Sequence, residues 1–374
     1  MAGIYIHIPF CRHKCSYCNF FSVVSQKHRT EIVPAILQEI DARKNAINEK
    51  VETIYFGGGT PSLLSVNEVE QLIDKLFASF EIINQPEITF EANPDDVNPE
   101  YLKSLKQLGI NRISIGIQSF REEDLNYLER THNASRISNV MSAIVGAGFK
   151  HINADLIYGI PGQQNEAIHY NVSRLLDYPL DHISAYALTV EPGTKLNHQI
   201  NKNKKPDIEE SAITQHFYQL SDFLLAHGFE HYEISNFALP GCYSKHNTSY
   251  WYQKPYLGLG PSAHSYDGNS RWWNISSVSG YVKGVNEGKI PLEKEVLSLE
   301  QKFNEFIMLR LRTQQGIDMQ EVARLFGPSW HNDLRKAFKS VENTQYIRWQ
   351  NNRIVLTRKG FWFSDGIAAQ LFRG

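Results

Sequence analysis

Six times within the first 235 residues a short β-branched run is followed by a stretch rich in helix formers. The runs fall at 4–8, 53–56, 87–92, 112–118, 153–157 and 182–187. Helical stretches follow at about 27–46, from 66, from Asn98-Pro99 as far as Gly109, at 122–129 and 135–146, at 166–177, and at 207–227. The runs read as strands, and Asn98-Pro99 supplies an N-cap and a first-turn proline. Strands separated by helices are joined by crossovers and so lie parallel. The alternation therefore predicts an α/β fold, a barrel or partial barrel of parallel strands. Its ligands would bind beyond the C-terminal strand ends.

The rhythm changes after residue 235. Residues 236–275 are rich in Gly, Pro, Tyr, Trp and His and show no period. Helical stretches follow at 301–312, 318–326 and 331–341. Two apolar runs, 346–349 and 353–356, are separated by Gln350-Asn351-Asn352, a hairpin signal. The expected organisation is a core over 1–235 and a second domain over 236–374 that ends in a winged-helix-like α+β unit. A chain of 374 residues is long enough for both. A net charge of −2 provides no basic field, so no nucleic-acid partner is expected, and the wing-like end lacks a basic stripe. No apolar run reaches spanning length and no signal peptide is recognised, so no membrane insertion is expected. Four cysteines, three of them clustered, fit a reducing cytoplasm.

The clustered cysteines are Cys11, Cys15 and Cys18, in a loop that Pro9 opens after the first strand. Soft thiolates at C-x3-C-x2-C spacing suit an iron–sulfur cluster. Three thiolates leave one iron of a [4Fe–4S] cube open to another ligand. A disulfide plus a spare thiol would suit a secreted protein instead. A zinc site would need a fourth ligand such as His7 or His13. Gly57-Gly58-Gly59-Thr60-Pro61 follows the second strand, where glycines let backbone N–H groups approach a ligand. A tight βα turn is the plain alternative. Glu91, Gln118, Arg130 and Asp155 are polar groups in or after apolar elements. Each, taken singly, could equally be a surface residue or a satisfied buried pair.

Taken together these features resemble the radical S-adenosylmethionine (SAM) superfamily. Within it, the segments Phe90-Glu-Ala-Asn-Pro94, Gly116-Ile-Gln-Ser-Phe120, Leu128-Glu-Arg-Thr-His132 and Asn153-Ala-Asp-Leu-Ile-Tyr-Gly-Ile-Pro161 are similar to those of oxygen-independent coproporphyrinogen III oxidases and their relatives. So are His7-Ile-Pro-Phe-Cys11, Thr189–Thr194, Tyr232–Asn236 and Leu257–His264. The resemblance implies a (β/α)6 partial TIM barrel that carries a [4Fe–4S] cluster and SAM, whose amino and carboxylate groups chelate the open iron. The cluster's electron would then cleave the sulfonium to a 5′-deoxyadenosyl radical. By the same resemblance Gly58, Gly59 and Thr60 would meet the methionine amino group and Arg130 its carboxylate. Glu91, Gln118 and Asp155 would make further SAM contacts, and Tyr5, Tyr17 and Ala187 would meet the adenosyl part or sulfonium.

Two departures separate the chain from the oxidases. Phe20 stands where their pattern has a further cysteine, and their N-terminal extension is not expected before a first strand that begins at about Ile4. Both features resemble the HemW-type heme chaperone branch, as does His246-Asn-Thr-Ser-Tyr-Trp251. The resemblance implies a protein that binds heme and passes it to an apo-hemoprotein, with a membrane respiratory enzyme as one acceptor class and homodimer formation left open. His246 would be the iron ligand among flat aromatic faces; a packed, hydrogen-bonded histidine is the plain reading. Cys242 reads as a small buried hydrophobe or as a further ligand. The alternative is the enzyme itself, an oxidase that removes propionate carboxylates from coproporphyrinogen III.

Overall fold

The computed structural model describes residues 1–342 and 344–373. The predicted alternation is present: β1 (Ala2–Ile8), α1 (Ile32–Arg43), β2 (Val51–Gly58), α2 (Val66–Ser79), β3 (Ile82–Ala92), α3 (Pro99–Gln107), β4 (Arg112–Gln118), α4 (Glu122–Leu128), α5 (Ala134–Gly146), β5 (His151–Tyr158), α6 (Asn165–Leu176) and β6 (His182–Ala187). The six strands lie side by side in chain order, every pair parallel. Local chemistry sets the helix starts. Asn98 Oδ1 accepts from Tyr101 N at 2.9 Å, and Ser65 and Glu68 form a reciprocal capping box on α2.

The two faces of these strands differ in chemistry. Ile4, Ile6, Ile8, Ile54, Phe56, Ile113, Ile115, Ile152 and Ile183 are fully buried in the main apolar core. The alternate positions are Tyr5, His7, Tyr55, Thr89, Glu91, Ser114, Asn153, Asp155, His182 and Ser184. Because side chains alternate across a strand, one face packs on helices and the other gives the barrel a polar interior. Apolar burial holds the strands, and the interior is left for ligands.

Past β6 come α7 (Lys195–Asn201), α8 (Glu210–Ala226), β7 (Glu230–Glu233) and β8 (Asn236–Ala238), and β8 joins β6 antiparallel. Then come α9 (Lys245–Trp251), β9 (Tyr256–Leu259), β10 (His264–Tyr266), β11 (Ser270–Asn274), α10 (Val278–Asn286) and β12 (Leu292–Val296). β9 runs parallel beside β1, and β10 to β12 follow antiparallel. The result is one twelve-stranded sheet with β12 and β7 at its edges. The barrel is therefore open, as a partial barrel must be. The stretch that showed no period in the sequence supplies one of its walls.

The C-terminal part holds α11 (Leu299–Leu311), β13 (Ile317–Asp318), α12 (Met319–Phe326), α13 (Pro328–Val341), β14 (Ile347–Gln350), β15 (Arg353–Leu356), α14 (Arg358–Trp362) and α15 (Ser364–Leu371). β13, β15 and β14 form a small antiparallel sheet. Asn351 and Asn352 turn the hairpin, both with positive φ (49° and 60°). Arg310 of α11 ties this unit to the barrel. It is buried, bonds Glu321 Oε1 at 2.8 Å and the Trp251 carbonyl, and lies 4.2 Å from the Tyr252 ring centroid. No helix among the described residues is long and apolar enough to cross a membrane.

Candidate cofactor and ligand site

A cavity of about 540 Å³ opens at the C-terminal ends of the strands. Cys11, Cys15 and Cys18, all free thiols, line one end of it. Tyr17, Gly58, Gly59, Thr60, Glu91, Gln118, Arg130, Asp155 and Ala187 line the rest. Residues 11 to 187 in the chain thus meet in one space, because each sits in the C-terminal half of a parallel strand or in the connection that follows it. Tyr5 lies one layer lower, in the wall, with its hydroxyl 3.1 Å from His7 Nδ1. His246 is elsewhere.

The glycine loop is shaped by close approach. Gly58 has φ 109°, and a Cβ there would lie 2.7 Å from the His7 ring. A Cβ on Gly59 would stand 2.7 Å from the Phe10 carbonyl oxygen. Gln118 ends β4 with φ 69°, a left-handed conformation that is costly for a side-chain-bearing residue. The pairing of β4 with β5 shifts between Ile115 and Gln118 at the same place.

Arg130 follows the left-handed C-cap of α4 at Glu129 (φ 56°). Its Nη1 donates toward Cys15 Sγ at 3.3 Å, and its Nη2 donates to Asn93 Oδ1 and the Gly116 carbonyl, both at 2.9 Å. Its Nε is buried without a partner among the described residues. Burial alone would lower its pKa, but the neighbouring Tyr17 and Cys15 raise it above the ordinary value, so the guanidinium stays charged. Thr60 Oγ1 donates toward Cys11 Sγ at 3.4 Å.

Two carboxyl groups face this cation across the cavity. Glu91 accepts from Tyr55 Oη at 2.7 Å. Burial, with Asp155 adding, raises its pKa to about 7. Asp155 accepts from Asn153 Nδ2 at 2.7 Å, and burial raises it to about 6 against the pull of its hydrogen bonds. Below them a second void of about 50 Å³ is walled by Thr89, Arg112, Asn153 and His182 among others, room for a water or two.

Sequence reasoning passed over Asn93, Ser114, Tyr186 and Glu191, which also line the main cavity. The sixth run carries the signal for Tyr186. His182, Ser184 and Tyr186 alternate with apolar residues, so one face of that strand is polar. His7 engages both ring nitrogens, Nδ1 with Tyr5 and Nε2 with the Phe21 carbonyl at 2.8 Å, leaving neither for a metal. His13 lines the cavity and is exposed.

His246 lies at the opposite, N-terminal end of the strands, in α9, which plugs the barrel floor. It is buried; Nδ1 bonds Thr53 Oγ1 at 2.7 Å and Nε2 bonds Tyr250 Oη at 2.8 Å. Its ring stacks on Tyr55 at 4.9 Å, and its amide donates to Glu87 Oε1 at 2.9 Å. Burial pushes its pKa down to about 3. Both ring nitrogens are thus occupied, so ligation through His246 requires α9 to leave the floor. Another histidine is accessible: His264 on β10 is exposed and stacks on Trp273 at 5.6 Å.

Residues 5–175 match the model of the radical SAM superfamily, and residues 297–363 match the HemN C-terminal domain. A "Heme chaperone HemW" of Lactococcus lactis is 32% identical over 97% of this chain and 95% of its own length. One of Bacillus subtilis is 32% identical over 96% of each chain. The solved coproporphyrinogen III oxidase (HemN) of Escherichia coli superposes with a TM-score of 0.86 at 22% identity, covering 99% of this chain and 90% of that one.

Proposed function

This chain belongs to the HemW family of heme chaperones within the radical SAM superfamily, and on that premise we propose that it binds heme and hands it to an apo-hemoprotein. The observation that carries the reading is identity above 30% along nearly the whole chain with relatives so named. The likeness to the oxidase is one of fold alone. Phe20, where the oxidase pattern has a cysteine, is 71% exposed at the cavity rim and offers no ligand atom.

The superfamily implies a [4Fe–4S] cluster and SAM, and the residues of the cavity fit both. Three soft thiols converge on one wall, an unpaired guanidinium nitrogen is buried beside them, and two carboxyls stand opposite. We assign Cys11, Cys15 and Cys18 to the cluster, which when bound supplies an electron donor and an open iron. The chain's own residues do the positioning. Gly58, Gly59 and Thr60 present the loop to the methionine amino group, Arg130 holds the carboxylate, and Glu91, Gln118 and Asp155 bind polar edges. Tyr5, Tyr17 and Ala187 bound the adenosyl side. Delivery in the cytoplasm, to an acceptor such as a membrane respiratory enzyme, by a chain able to pair as a homodimer, belongs to the same proposal.

The test is heme added to the anaerobically reconstituted protein, with a parallel assay of coproporphyrinogen III. A Soret band without conversion is expected. Steady formation of protoporphyrinogen IX would replace the chaperone by the oxidase.

A further inference from the structure

Cys242 lies outside the cavity that Cys11, Cys15 and Cys18 line. It sits partly exposed in the turn after β8, at the barrel floor, far along the strands from the cluster loop. Its Sγ, a ring nitrogen of His151 and a carboxylate oxygen of Asp181 all lie within 4.8 Å of one another. His151 opens β5 and Asp181 immediately precedes β6. We propose that these three side chains form a second metal site, for a divalent cation of borderline softness such as zinc, with its fourth position open to water.

Three observations carry this. First, the donor set is mixed: one sulfur, one nitrogen, one oxygen. The sulfur disfavours magnesium and calcium, and the trio suits zinc-class ions. Bond lengths of about 2.0–2.3 Å to zinc place tetrahedral ligands roughly 3.3–3.8 Å apart, so only small side-chain adjustments are needed. A cation there would replace the direct His151 Nδ1–Asp181 Oδ2 contact of 2.6 Å. Second, the backbone around the trio is pinned. Asp181 Oδ1 accepts from Ile152 N at 2.8 Å, and the Asp181 carbonyl accepts from Leu239 N at 2.9 Å. Cys242 N donates to the Leu239 carbonyl at 2.9 Å, and the Cys242 carbonyl accepts from Arg112 Nη2 at 2.9 Å. Third, the site is reachable, since the His151 side chain is 45% exposed.

A nucleophilic role fits less well. Burial first, then the Asp181 carboxylate, raise the Cys242 pKa and keep the thiol protonated. A bound cation would reverse this, with the thiol proton released to solvent. The site would clip the turn that leads into α9 onto the starts of β5 and β6.

The test uses the full chain with Cys11, Cys15 and Cys18 all changed to Ser, leaving Cys242 as its one thiol, titrated with Co²⁺. One equivalent should bind with a near-ultraviolet thiolate-to-cobalt charge-transfer band and the visible bands of a tetrahedral ion. Adding Cys242→Ser should abolish the charge-transfer band. His151→Ala and Asp181→Asn should each weaken binding by more than the roughly 10–100-fold that outer-sphere partners contribute. No band in the folded protein, or a band that survives Cys242→Ser, overturns the site. Should the triple variant not fold, zinc retained by the cluster-loaded wild type decides. One equivalent, lost in His151→Ala, supports the site, and none overturns it.

Discussion

At the barrel floor the Glu87 carboxylate accepts from the amides of Lys245 and His246 and pairs with Arg112 at 3.2 Å. Charge is matched by charge, and α9 fills the volume. At the mouth Glu91 and Asp155 face a single buried cation, Arg130, across a cavity of about 540 Å³. The same strands build both ends. The floor pairs its charges internally, Glu87 with Arg112, although Arg112 Nη1, Thr248 Oγ1 and Trp251 Nε1 have no partner among the described residues. The mouth keeps two buried carboxyls, Glu91 and Asp155, that make no ion pair among the described residues and border an open cavity, which is costly unless a ligand completes it. The difference separates residues kept for the fold from residues kept for chemistry. The aromatic motif around His246 lies at the floor, where the ring has the packed, hydrogen-bonded setting that is the plain reading of that motif.

The comparison predicts unequal effects. The largest is at the mouth: Cys11→Ser, Cys15→Ser or Cys18→Ser should abolish the brown cluster absorbance after anaerobic reconstitution, while Cys242→Ser retains it. Iron and sulfide counts would show the reverse if the assignment were mistaken. At the floor His246→Ala should cost roughly 3 kcal/mol of stability, from lost packing and two buried partners left unpaired. Denaturant unfolding measures this, and the Soret band of the folded variant should persist. A lost band would mean that α9 opens to let His246 reach iron, and His264→Ala is the companion control.

Arg130→Ala and Asp155→Asn should weaken SAM binding by about 1.5–3 kcal/mol with the cluster intact. Equilibrium binding checks this, and unchanged affinity in both would remove them from the site. The smallest effect is one of pH. If SAM needs the ionised Glu91, its affinity should fall roughly tenfold, about 1.4 kcal/mol, between pH 8 and 6, with Glu91→Gln flattening the profile. Without ligand the sign inverts. Both carboxyl pKa values are raised by folding, to about 7 and 6. Their stabilising contribution is therefore full below their unfolded values near 4 and is lost as pH rises through 6 and 7. The apo protein should unfold at a lower temperature at pH 8 than at pH 5 as far as these two groups decide it.

The parallel strands were legible because each is a β-branched run between helix signals. The runs expected at 112–118 and 182–187 match β4 and β6 end for end. The hairpin was legible from Gln350-Asn351-Asn352. The wall formed by β9 to β12 was not. Its strands are three to five residues long, too short for a period to show, and they are defined by pairing with β1 and with one another. α10 was missed for a related reason: glycines at 280 and 284 weaken its helical pattern. At the site, the cysteines and glycines were legible from spacing. Asn93 was not singled out because its bond to Arg130 spans 37 residues of chain. The setting of His246 was hidden because Thr53 and Glu87 lie far from it in sequence.

Arg310 has a consequence for how the molecule comes apart. Its one buried guanidinium is held jointly by α12, through Glu321, and by the last carbonyl of the floor helix. Removing α12 takes away its counter-ion and removing α9 takes away its carbonyl acceptor, so neither can open alone without leaving the buried guanidinium short of a partner. The floor helix and the C-terminal unit should therefore melt together. In native-state hydrogen exchange, the slow amides of α9 and α11 should report one common opening free energy, and Arg310→Met should split it into two.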